Sequence, residues 1–115
     1  MKGHTDLEQS RKLAEILPLE SADMCFFNDG TAIKIDANSY SVRSVMWKDY
    51  EVEVIPCWSL AALLDVLNCP ELTQTSDGGW FIRTWYLFHP YAVSGVNPVD
   101  VCYKIIIKLH EQKLL

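Results

Sequence analysis

Long apolar runs are missing from this chain. No stretch approaches the ~20 residues that span a membrane. The opening segment "MKGHTDLEQSRKLAEIL" carries charges throughout, where a signal peptide would need an apolar centre. Neither membrane insertion nor export is expected, and the expected compartment is the cytoplasm. Dense basic clusters are also missing: ten Lys and Arg are scattered among fifteen Asp and Glu, for a formal charge of -5. That balance repels a phosphate backbone on average, so direct DNA or RNA binding is not expected. The five glycines occur singly or in turns, which leaves no loop to cradle a phosphate and no sign of a nucleotide cofactor. Cys25, Cys57, Cys69 and Cys102 never reach C-x-x-C spacing, so the close ligand pair of a zinc site is absent and no metal is expected. In a reducing compartment such thiols read as small buried side chains. Internal repeats, low-complexity tracts and Pro/Gly/Ser linkers are absent too, and 1–115 reads as a single domain.

What is present is the composition of a packed globule, half hydrophobic and only 22% charged. A chain of this length buries roughly two-thirds of the surface it exposes when unfolded. Thr5 followed by Glu8 fits a capping box and predicts a first helix over 6–17, stopped by Pro18. "MCFFNDGTAIKID" predicts a hairpin turning at Asn28-Asp29-Gly30, with Ile33 and Ile35 on one face and Lys34 and Asp36 on the other. Further strands are predicted in "SYSVRSVMW" and "YEVEVIP", where Val52 and Val54 alternate with Glu51 and Glu53 as on a sheet with one wet face. "WSLAALLDVLN" switches to helical spacing: Ser59 is the candidate cap, and Asn68 and Pro70 end a short, largely buried helix.

Strands return in "ELTQTSDGGWFIRTWYLFH", with Asp77-Gly78-Gly79 as the turn. The second of them places Trp80, Ile82, Tyr86 and Phe88 on one face, and Phe81, Arg83, Trp85, Leu87 and His89 on the other. Both faces are mostly apolar, so the strand is either covered twice or offers one face to a partner. Asn97 and Pro98 open a last helix as N-cap and first residue. Asp100 suits its first turn and pairs with Lys104 at i,i+4 spacing. Cys102, Ile105, Ile106 and Leu109 make one apolar stripe; Tyr103, Ile107, His110 and Leu114 make a second beside it. The predicted fold is α+β, a mainly antiparallel sheet packed by two to three helices.

Few groups suggest chemistry. Cys57 precedes a helix whose free amides would favour a thiolate, and His89 or His110 would be its base; the competing reading is a structural thiol beside Trp58. Glu51 and Glu53, about 7 Å apart on one strand face, have the spacing of paired acid/base carboxylates, but alternating Glu is the ordinary pattern of a solvated strand. His4, His89 and His110 belong to no ligand motif. The four Trp, five Tyr and four Phe are core and sheet packing in the plain reading, and contact area for a partner in the sharper one.

"LAEILPLESADM", "IPCWSLAALLDVL" and "NPVDVCYKIIIKLHEQKLL" resemble the matching blocks of a family of small uncharacterised proteins of gut anaerobic bacteria, often encoded in prophage-like or other mobile regions. The resemblance covers most of the chain and is strongest over 97–115. It implies a cytoplasmic bacterial accessory factor of a mobile element, and no catalytic residue carries over.

Excess apolar surface beside few catalytic groups favours a non-enzymatic module that binds a protein partner or self-associates. Trp80, Trp85, Ile107 and Leu114 are the expected contact residues. The alternative is a small enzyme or ligand-binding protein using Cys57 with a histidine in an aromatic pocket. A third reading is an acidic inhibitor presenting Asp49, Glu51 and Glu53 to a nucleic-acid-binding protein.

Overall fold

The computed structural model describes residues 2–26, 32–34, 44–47, 50–53 and 55–115. The elements follow in the order α1 (Leu7–Ala14), a one-turn 3-10 helix (Leu19–Ser21), β1 (Met24–Phe26), β2 (Ala32–Lys34), β3 (Ser44–Trp47), β4 (Tyr50–Glu53), β5 (Ile55–Cys57), α2 (Leu60–Val66), β6 (Glu71–Gln74), β7 (Trp80–Tyr86), β8 (His89–Gly95) and α3 (Pro98–Glu111). The fold is α+β. Among the described residues every strand pairing is antiparallel, and three small sheets form, in the orders β2-β1-β5, β3-β4 and β6-β7-β8.

The expected first hairpin exists as β1 against β2, with Phe26 opposite Ala32. Its turn at Asn28, Asp29 and Gly30 lies outside the described residues, as do Ile35, Asp36, Asp49 and Val54. The expected strands around 44–57 are β3, β4 and β5. The side chains of Ile33, Glu51, Val52 and Glu53, and therefore the wet face and the carboxylate pair, fall outside the description.

α3 organises the core. Val99, Val101, Cys102, Ile105, Ile106 and Leu109 are all fully buried and meet Leu13, Leu17, Trp58, Leu63, Leu67 and Ile82. Removing each large aliphatic side chain from water contributes roughly 1.5–3 kcal/mol. Asn97 caps α3 as expected: its side-chain oxygen accepts from the Asp100 amide at 2.9 Å, and Pro98 follows at the first position. At the other end the helix stops at Glu111, short of Leu114, the last residue of its second expected stripe. Lys113 adopts a positive φ of 60°, its amide donates to the His110 carbonyl, and the Leu114 amide returns to the Leu109 carbonyl at 2.9 Å. That is the Schellman pattern, and it folds Leu114 back against the core.

Two expected contacts are corrected. The cap of α1 is Asp6, one residue after Thr5: Asp6 accepts from the Gln9 amide at 2.8 Å while the Gln9 side chain accepts from the Asp6 amide at 3.1 Å. Thr5 is fully buried instead. Its hydroxyl accepts from the Trp58 amide at 3.1 Å and lies 2.7 Å from the Ser10 hydroxyl. A carboxylate tolerates the solvated cap position, and a hydroxyl is the cheaper polar group to bury. The partner of Asp100 is Lys2 at 2.9 Å, and not Lys104. Gln9 also donates to Asp100 at 2.8 Å, so the cluster ties the N-terminal segment to α3. Burial works to raise the Asp100 carboxyl, and the hydrogen bonds from Gln9, Lys2 and Asn97 outweigh it and hold it below its ordinary value.

Candidate interaction surface

β7 is the central strand of its sheet. Its register puts Trp80, Ile82, Thr84 and Tyr86 on one face and Phe81, Arg83 and Trp85 on the other. Ile82 and Thr84 are buried, and Trp80 and Tyr86 pack against the core, so the even-numbered face is the inner one. The outer face carries half-buried Phe81, Arg83 and Trp85 beside Pro90, Ala92 and Ser94 of β8. Arg83 pairs with Glu71 of β6, and its guanidinium lies 5.7 Å from the centre of the Trp85 ring.

The strand was expected to continue through Phe88 and His89. It ends at Tyr86, and the chain reverses over Leu87 and Phe88 so that His89 pairs with Tyr86. Both loop residues have positive φ, 52° and 64°, the hand that a two-residue type I′ turn requires. Glycine, asparagine and aspartate adopt that region readily, whereas a leucine or phenylalanine is strained there by about 1–3 kcal/mol. Both stand in solvent, Leu87 85% exposed and Phe88 101%.

Beneath the tip the hairpin is held firmly. β6 reaches only as far as Arg83 on β7, and the segment after α2 takes over from there. The Asn68 carbonyl accepts from the Trp85 amide at 3.2 Å and from the Thr84 hydroxyl; the Asn68 side chain donates to the Trp85 carbonyl at 2.6 Å; and the Asn68 amide donates to the Tyr86 hydroxyl at 3.2 Å. A positive φ of 49° at Cys69 turns the chain from this clamp into β6. At the opposite end of the sheet, residues 75, 77–80 and 94–96 line an open groove of about 460 Å³, with Val96 87% exposed on its rim.

The four expected contact residues do not form one patch. Trp80 and Trp85 lie on opposite faces of β7, Trp80 and Leu114 rest on the core, and Ile107 is half-buried on α3. Leu87 and Phe88 are the exposed pair that pattern reading missed, because no turn-forming residue marks them. Pro90 was the available signal, because a proline directly after His89 argues against an uninterrupted central strand there.

Cys57 is fully buried, with Thr5 and Ser10 around it. Burial pushes its thiol up, and the hydrogen bonds from Thr5 and Ser10 offset this only in part. Those are the reverse of the conditions that generate a nucleophilic thiolate. The imidazole beside it, 3.6 Å away, belongs to His4. His89 stacks on Tyr91 and His110 bonds the Leu115 carbonyl. Among the described residues no group of His, Cys, Asp and Glu is placed to hold a metal, and no helix is long and apolar enough to cross a membrane. No family model, curated protein or solved structure matches the chain.

Proposed function

We propose that this protein is a non-enzymatic interaction module whose docking element is the β7–β8 hairpin, with Leu87 and Phe88 entering an apolar site on another protein chain. One observation carries the reading: two large apolar side chains stand exposed at a rigidly anchored tip, in a backbone conformation that disfavours both. Burial of such a tip in a complex recovers the hydrophobic free energy that the monomer forgoes, about 1.5–3 kcal/mol for each side chain.

The test replaces the tip by the residues its backbone favours, Leu87→Asn with Phe88→Gly, and follows both proteins through size-exclusion chromatography of bacterial lysates. The natural chain is expected above its 13.2 kDa monomer position, and the variant at that position. Identical elution of the two would overturn the hairpin as docking element.

A further inference from the structure

The free edge of β8 carries its own recognition pattern. The Thr75 amide donates to the Gly79 carbonyl at 2.8 Å, which sets the parity of the ladder: odd-numbered residues of β7 bond towards β6 and even-numbered ones towards β8. The Trp85 amide, an odd one, accordingly points away from β8 to the Asn68 carbonyl. On β8, His89, Tyr91, Val93 and Gly95 face the even-numbered β7 residues. The backbone groups of Pro90, Ala92 and Ser94 therefore turn to the open side. Pro90 is consistent with this, since a proline in a sheet is tolerated where its missing N–H would have faced outward. Among the described residues no strand pairs with that side, and Pro90 and Ser94 are exposed. From 89 to 95 the edge has no Lys, Arg, Asp or Glu, the charges that ordinarily blunt an edge strand against pairing, and Pro90 is its one blunting residue.

The edge is also self-complementary. Phe88 and Val96 stand four residues to either side of Ala92, and both are exposed, at 101% and 87%. An antiparallel pairing of two copies about a two-fold axis at Ala92 places Phe88 of each beside Val96 and the groove at residues 75, 77–80 and 94–96 of the other. The backbone groups match as well. The two Ala92 residues exchange a pair of N–H···O=C bonds, and each Ser94 amide meets the Pro90 carbonyl of the other copy, while each Ser94 carbonyl, opposite a proline without an N–H, stays open to water.

Building on the hairpin as docking element, we propose that its occupant is a second copy of this chain, joined edge to edge through β8 into one continuous sheet of two β6-β7-β8 units. The strained turn then has a reason: it projects an apolar side chain past the end of its own strand, to the place where the partner's sheet is open.

The test is sedimentation velocity of the purified full chain from about 1 μM to about 1 mM, the span over which a weak homodimer assembles, with amide hydrogen exchange at both ends of the range. Conversion from monomer to dimer is expected with rising concentration. The Ala92 and Ser94 amides should gain protection with it, while those of Tyr91 and Val93 stay protected throughout. Ala92→Pro removes the central pair of bonds without touching the β7 ladder, and should weaken the dimer at least tenfold, roughly the effect of two hydrogen bonds, with the circular dichroism spectrum unchanged. Exchange on the natural chain decides the matter even where that variant misfolds. A chain that stays monomeric to the highest concentration, or a dimer whose Ala92 and Ser94 amides exchange as fast as in the monomer, overturns the edge pairing. If such a monomer still elutes in a larger lysate complex that the tip substitution abolishes, only the identity of the occupant has failed. If it does not, the docking element has failed too.

Discussion

The two turns at the ends of β7 solve the same problem with opposite materials. At the first, Gly78 takes a positive φ of 88°, where a side chain would be strained. Asp77 fastens it, accepting from the Gly79 amide at 3.1 Å and from the Thr75 hydroxyl. At the second, the left-handed positions are filled by Leu87 and Phe88, whose side chains have no hydrogen-bonding group to fasten the turn. The first turn is what local backbone energetics alone would select. The second is not, and the proposed docking role would account for filling it with apolar residues.

The contrast is open to experiment from both sides. The largest effect is expected where the favourable turn is spoiled: Gly78→Val, a β-branched residue forced to positive φ, should lower unfolding free energy by about 2–3 kcal/mol in urea titrations. A neutral result would mean that the turn relaxes easily and that strain at Leu87 and Phe88 carries no message. The reciprocal change, Leu87→Asn with Phe88→Gly, should raise stability by about 1–2 kcal/mol and the melting temperature by several degrees, while assembly is lost. Stability rising as association falls is the signature that separates a docking tip from a poorly built loop. Asn68→Ala withdraws the side-chain donor to the Trp85 carbonyl and should cost about 1 kcal/mol; the amides of 84–86 should then exchange faster than those of 80–82.

The smallest effect is in pH. The Thr75 hydroxyl and then the Gly79 amide hold the Asp77 carboxyl below its ordinary 3.8. A depressed folded-state pKa gives stabilisation that is complete above the unfolded value and is lost as pH falls through the folded one. Acid titration followed by NMR should therefore show the first turn loosening below pH 3.8, and the Leu87-Phe88 turn, which has no titrating side chain, unaffected over that range. Asp77→Asn should remove the difference.

Residue pattern was enough where one local rule dominates. Helical spacing with Asn97-Pro98 announced α3, period-two alternation with Asp77-Gly78 announced β6 and β7, and Ser59 caps α2 as read, its hydroxyl accepting from the Ala62 amide at 3.2 Å. It faltered where two neighbours compete for one role. Thr5 and Asp6 are both good caps, and only the buried space beside Trp58 assigns the hydroxyl inward and the carboxylate outward. In α2, Ala62 and Leu63 are buried while Ala61 is exposed, a phase set by where α3 lies and not by the helix's own composition.

By itself, then, the sequence determined the fold class and the positions of α2, α3 and β6, because those follow from periodicity, capping chemistry and residue type. Tertiary structure decided the β7–β8 reversal. The residues from Trp80 to His89 read as one continuous strand, and Leu87 and Phe88 have no intrinsic reason to turn. They turn because α3 and Asn68 hold the Trp80–Tyr86 strand at a fixed length, and because β8 buries Tyr91 and Val93 partly against the same core only by folding back. Long-range packing there outweighs a local strain of a few kcal/mol, and the result is an apolar tip that no local rule would have placed in water.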